Sequence, residues 1–159
     1  MDITAAAAAL EASAFGVWMR SSAQAYPVAN LVHLLGLVLL VGGIGVVDLR
    51  LLGFGRKIPL VPLSRFLTPL AIAGVVLMLA SGVMLFAADA VPLLRAPMFG
   101  WKLAFIGLAI LNAVGFQLLW RGRLAAWADT PPPAARVMAA CSLGLWLAAA
   151  TLGRLLAYS

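Results

Sequence analysis

The chain has 159 residues, enough for one domain, of which 65% are hydrophobic and only 10% charged. A soluble domain carries roughly a quarter charged residues, so this composition and a mean hydropathy of +1.09 exclude an ordinary soluble fold. The net charge of +6 calls for no nucleic acid, because the basic residues fall between hydrophobic runs where membrane topology accounts for them.

Residues 3–20, ITAAAAALEASAFGVWMR, are helix-prone, with Asp2 and Thr4 as N-cap candidates. Glu11 and Arg20 leave too short an apolar stretch for a span, while Trp18 and Arg20 suit a membrane interface, so the segment predicts an interfacial helix lying on the bilayer; a frayed amphipathic tail is the alternative. It does not read as a cleavable signal, since Asp2 and Glu11 stand where basic residues are expected.

No Asp, Glu, Lys or Arg occurs in 21–47, 66–88, 103–120 or 137–153. Crossing about 30 Å of hydrocarbon takes about 20 apolar residues. The first two runs meet that length, and the last two do so once Lys102, Arg136 and Arg154 snorkel at their ends. The predicted spans are 27–49, 63–88, 99–120 and 134–157. Pro27 suits a first helical turn. The segments 50–65 and 121–133 read as loops, the second closed by three prolines that break any continuous helix. A β-barrel would show ten-residue alternating segments, which are absent from the sequence. The expected fold is all-α: an integral membrane four-helix bundle with an N-terminal interfacial helix, forming a single membrane domain over 1–159.

Four spans put both termini on one side. The connector side holds seven basic residues (Arg50, Arg56, Lys57, Arg65, Arg121, Arg123, Arg136) and the terminal side four (Arg20, Arg95, Lys102, Arg154). The positive-inside rule therefore predicts cytoplasmic connectors and outer termini, which in a bacterium means an inner-membrane protein with both termini periplasmic.

His33 is the only histidine. It lies seven residues inside Tyr26, about 10 Å below the interface at about 1.5 Å per residue. An ionisable group at that depth is a functional candidate by default, because hydrocarbon penalises it. Two readings stay open: a neutral histidine hydrogen-bonded across the bundle, and an axial ligand to haem iron. Asn30, His33, Gly36, Leu40, Gly43 and Val47 follow one helical stripe. Gly36 and Gly43 read either as close helix packing or as space beside a flat cofactor, and Asn30 as a group that orients the ring. Lys102 and Arg154 share the outer leaflet with His33 and are the candidate partners of haem propionates, against the reading of two snorkelling anchors. Met78 and Met84 are the candidates for a second axial ligand. Ala140, Gly144 and Ala148, spaced by four, predict a packing face on the last span. Asn112 predicts an interhelical hydrogen bond, Asp48 and Arg50 an anchor at the end of the first span, and Cys141 an apolar filler that forms no intrachain disulfide. The run GGIGVVD, 42–48, loosely echoes a dinucleotide fingerprint, but no strand precedes it and it lies inside a span.

The segment VHLLGLVLLVGG, 32–43, resembles the start of a span in the copper resistance protein D family, as does the lysine of GWKLAFIGL, 100–108. Over its whole length the chain is similar to a family of small bacterial four-helix membrane proteins, through HLLG, DLRLLG at 48–53, SGVMLF at 81–86 and GRLLAY at 153–158. The resemblance implies an inner-membrane bundle that binds haem b through His33. The expected function is a b-type haem protein that passes electrons to or from a quinone or a periplasmic redox partner, alone or as a homo-oligomer. It departs from cytochrome b561-like membrane haem proteins, which pair histidines on separate helices for two haems. Copper or small-solute handling and a purely structural role in a membrane complex are the competing classes. Copper uptake favours clustered Met, His and Cys, and here they are scattered.

Overall fold

In hydrocarbon no water is present to bond the backbone, so each apolar run must satisfy its own N–H and C=O groups, and a helix does this within one segment. The computed structural model describes residues 2–127 and 130–158 and follows that rule. Met1, Ala128 and Asp129 of the expected second connector, Ser159, and the side chain of Ala157 lie outside the described residues. The elements are α1 (Ile3–Ala12), α2 (Ala14–Ser21), α3 (Ala25–Leu52), α4 (Leu60–Ala88), α5 (Ala90–Arg95), α6 (Pro97–Trp120) and α7 (Pro133–Leu155), with 3-10 turns at Leu124–Trp127 and Leu156–Tyr158. Four of them, α3, α4, α6 and α7, are long and apolar enough to cross a membrane. The protein has the build of a multi-pass four-helix membrane bundle.

The α3–α4 seam is the tightest. Gly36 and Gly74 face each other so closely that a Cβ on Gly36 would stand 2.8 Å from the Gly74 carbonyl oxygen, and one on Gly74 2.6 Å from that of Gly36. Gly43 repeats the contact two turns on, where a Cβ would lie 3.0 Å from the Leu67 carbonyl oxygen. Close backbone approach of this kind is how helices gain packing energy in lipid, where no hydrophobic force drives them together. The faces of Gly36 and Gly43 are therefore filled by α4, and packing, not cofactor space, occupies them.

At mid-membrane Leu40, Ala71, Ala109 and Trp146 bring α3, α4, α6 and α7 into one cluster. The side-chain amide of Asn112 on α6 donates to the Met138 carbonyl of α7 over 3.0 Å, the interhelical bond its depth predicts. On the terminal side of this cluster α4 and α6 stay apart until their ends meet in the parallel stack of Phe86 on Phe99, centroids 5.6 Å apart.

The inward face of α7 is Ala135, Ala139, Ser142, Trp146 and Ala149. The expected packing stripe is corrected by this: Ala140 and Gly144 point outward, and a Cβ on Gly144 would touch nothing within 4 Å. Cys141 is likewise exposed.

The N-terminal segment is two helices rather than one. Ser13 breaks it: its backbone is extended, its hydroxyl donates to the Leu10 carbonyl at 2.6 Å, and its Oγ accepts from Gly16 N–H at 3.1 Å. The resulting hairpin docks where α4 turns into α5. Arg20 donates to the Ala88 carbonyl at 2.7 Å and the Glu11 carbonyl at 2.9 Å. It thereby covers the orphan carbonyls at the ends of α4 and α1. The Glu11 carboxylate pairs with Arg20 at 3.4 Å and accepts from Val91 N–H at 2.9 Å, capping the start of α5. Met19 is fully buried beneath this corner, among Ala25, Ala29 and Ala88.

At the opposite end Gly53 takes a left-handed φ of 108° and closes α3, with Phe54 N–H returning to the Leu49 carbonyl. Arg50 does more than anchor the helix. Only 2% exposed, it donates from Nε to the Ile58 carbonyl at 2.7 Å and from Nη2 to the Arg56 carbonyl at 3.0 Å, pinning the α3–α4 connector. Asp48 is buried beside it, within hydrogen-bonding reach of Ser142 on α7.

Candidate functional site

Where α4 and α6 diverge they leave a cleft of about 360 Å³. Leu40 and Trp146 line its mid-membrane end, and Phe86, Phe99 and Leu94 its terminal-side end. Only His33 and Lys102 supply ionisable groups to its lining, and the remainder is aliphatic, aromatic, Met78 and Gly82. Such a volume lies at the small end of the roughly 300–1,000 Å³ typical of ligand pockets, and an apolar wall with a few polar groups is their usual make-up.

His33 is half-buried on α3, and its Nδ1 lies 2.9 Å from Ser81 Oγ on α4. Ser81 is 1% exposed, and its hydroxyl lies 2.6 Å from the Leu77 carbonyl one turn back. A hydroxyl has one proton to give. With that proton on Leu77, Ser81 Oγ accepts from His33 Nδ1–H, which leaves the Nε2 lone pair without a role in the bond to Ser81. Gly82 makes room for the ring, since a Cβ there would lie 3.4 Å from His33 Cε1. A second partner on one ring nitrogen fixes both tautomer and ring orientation for a ligand on the other. The cross-bundle hydrogen bond therefore engages Nδ1 and leaves the other ring nitrogen outside the bond to Ser81.

Lys102 reaches from α6 toward the carbonyl end of α7. Its Nζ would lie 3.3 Å from a Cβ placed on Gly153, where the helix dipole favours a cation. Among the described residues the one ion pair is Glu11–Arg20, so no described carboxylate neutralises Lys102. The cleft can accept a flat apolar ligand that offers a Lewis acid or a hydrogen-bond donor to Nε2 and a negative group to Lys102.

The other expected site residues sit elsewhere. Arg154 is exposed, hydrogen-bonded to the Tyr158 hydroxyl and stacked over its ring 4.8 Å from the centroid; it does not line the cleft. Asn30 is exposed on the outer turn of α3 and does not line the cleft. Gly36 and Gly43 belong to the α3–α4 seam. Met78 lines the cleft on the same side as His33, whereas Met84 packs beneath the N-terminal hairpin. Sequence reasoning missed Ser81. The signal was present: a hydroxyl in a charge-free run, seven residues from the terminal-side end of α4, matches the depth of a histidine eight residues from that end of α3.

No protein-family model matches the chain, and no curated protein or solved structure matches it either.

Proposed function

We propose that this protein is a small membrane b-type haem protein of the bacterial inner membrane, with both termini periplasmic, that exchanges electrons at the terminal side. The observation that carries the reading is the Ser81–His33 pair: it commits Nδ1 and leaves Nε2 as the coordinating atom of a side chain lining an apolar cleft. The residues fit the proximal half of a haem site. His33 would hold the iron, Ser81 would set the ring, the aliphatic walls would exclude water, and Lys102 would take a propionate. On the α6 wall no histidine or methionine lines the cleft, so His33 would be the protein's one ligand to a haem held there. Bound haem supplies one-electron redox chemistry, whose potential depends on axial ligand, hydrogen bonding and burial. A quinone or a periplasmic redox protein is the electron partner that this reading implies.

A second reading has its own observation. Leu79 and Val83 on α4 and Leu103 on α6 line the cleft and are each more than half exposed, so it is open sideways to lipid. The head of an isoprenoid quinone could enter by that route, with a carbonyl oxygen toward Lys102, and the hydroxyl of its quinol form would donate to Nε2 of His33. Copper handling draws less support, because among the described residues no three of His, Cys, Asp and Glu come together.

A visible spectrum of the protein, expressed with ample haem, tests the first reading. A Soret band is expected, lost or strongly shifted in His33→Ala while membrane insertion persists. A colourless preparation would overturn it, and quinone in an organic extract of that preparation would establish the second.

A further inference from the structure

The connector side holds a second groove, of about 320 Å³, where the two connectors meet. Arg56, Lys57, Leu60 and Val61 form one wall, and Leu124 and Ala125 the other. We infer that this groove seats the phosphodiester headgroup of an anionic phospholipid.

Three features carry the inference. The first is charge. Arg56 and Lys57 are adjacent and exposed, and no described carboxylate pairs with either, since the one ion pair among the described residues lies at the other end of the bundle. The second is preorganisation. Buried Arg50 holds the carbonyls of Arg56 and Ile58, bracketing Lys57, so both cations project from backbone that is fixed from beneath. The Arg56 guanidinium also packs on the left-handed turn, 3.3 Å from where a Cβ on Gly53 would stand. The third is depth and lining. The groove lies at the first turn of α4, which places it in the headgroup layer that flanks the hydrocarbon. Phosphate oxygens match the two cations, and the glycerol backbone and first methylenes match Leu60, Val61 and Leu124. Inorganic phosphate would use only the cations, and a zwitterionic lipid brings no net charge. A cation near an anionic lipid surface strengthens binding roughly fivefold, so the pair is worth about 30-fold. The inference needs only the membrane location and is independent of what fills the α4–α6 cleft.

Native mass spectrometry of the detergent-purified full chain reads this directly. Titration with phosphatidylglycerol is expected to give one tightly retained lipid, with phosphatidylcholine at least tenfold weaker. The double variant Arg56→Gln, Lys57→Gln should weaken phosphatidylglycerol about 30-fold. The pair Arg121→Gln, Arg123→Gln, which removes the same charge outside the groove, should change it by less than about threefold. Equal losses in the two double variants would overturn the site in favour of diffuse surface attraction. Inorganic phosphate competing with phosphatidylglycerol at equal concentration would overturn the lipid as its occupant. Thermal unfolding of the first double variant keeps the outcome readable: an unchanged midpoint without lipid shows that the groove, not the fold, was altered.

Discussion

His33 Nδ1 and Ser81 Oγ meet at 2.9 Å across the α3–α4 seam, and the Ser81 proton is already committed to the Leu77 carbonyl. The pair thus fixes the imidazole in the tautomer that presents Nε2. Ser81→Ala removes the acceptor and frees the ring to rotate or change tautomer. Haem should still bind, with a broadened or shifted Soret band and affinity lower by about 10- to 100-fold, the usual loss when a ligand's own hydrogen-bond partner is removed. Haem titration of the apoprotein checks it; an affinity and spectrum identical to wild type would detach Ser81 from the site.

Lys102 and Arg154 are separated by the same logic. Lys102 lines the cleft and Arg154 is engaged with Tyr158 outside it. Lys102→Met should lower haem retention through purification several-fold, whereas Arg154→Leu should leave it unchanged and slightly lower the thermal midpoint. Loss of haem in Arg154→Leu would place that arginine in the site after all.

Gly36 and Gly74 tolerate no side chain. Gly36→Ala puts a methyl group 2.8 Å from the Gly74 carbonyl oxygen and from Met78 Cγ. Overpacking of that kind costs about 1–3 kcal/mol, here by forcing α3 and α4 apart. A lower unfolding midpoint in mild detergent is expected, while Gly144→Ala, on an open face, should be neutral.

Arg20 joins the ends of α1 and α4, and Glu11 caps α5. Arg20→Ala should cost about 1–2 kcal/mol at this corner, the scale of a charge-assisted hydrogen bond that is partly exposed. The informative measurement is local: hydrogen exchange should rise in 3–21 and 88–95 and stay low in α3 and α7. Uniform protection would mean that the hairpin is held by Met19 alone.

Topology is checked with a reporter active only in the cytoplasm. It should be silent when fused after Ser159 and active within 121–133. The reverse pattern would invert the assignment of sides and leave the cleft facing the cytoplasm.

How far the sequence reached depends on what lipid does to its signals. The four spans were legible because charge is penalised in hydrocarbon whatever the packing, so charge-free runs mark helices. Which face turns inward was much harder to read. Lipid is as apolar as a leucine core, so hydrophobicity does not separate inside from outside. That is why Ala140, Gly144 and Ala148 read as a packing stripe although Ala140 and Gly144 face outward, while Ala135, Ala139, Ser142 and Trp146 pack. His33 was legible as the one histidine at depth, and Lys102 by its position at a span end. Asn30 shared the spacing of His33, but the α3 contact face there runs through Ala29 and Gly36, leaving Asn30 turned out. The break at Ser13 was hidden in a sequence helix-prone on both sides, and α5 in a segment with two prolines.

The separation of α4 from α6 has a consequence for selectivity. A pocket in a soluble protein gains affinity by shedding water from apolar walls. Here an empty cleft is filled by acyl chains, and exchanging one hydrocarbon surface for another releases almost nothing. Any guest must out-compete the surrounding lipid tails, so discrimination falls to the few interactions a tail cannot make: a bond to Nε2 of His33, a charge for Lys102, and a ring rigid enough to lie between Phe99 and Trp146 without the entropy a flexible chain would lose.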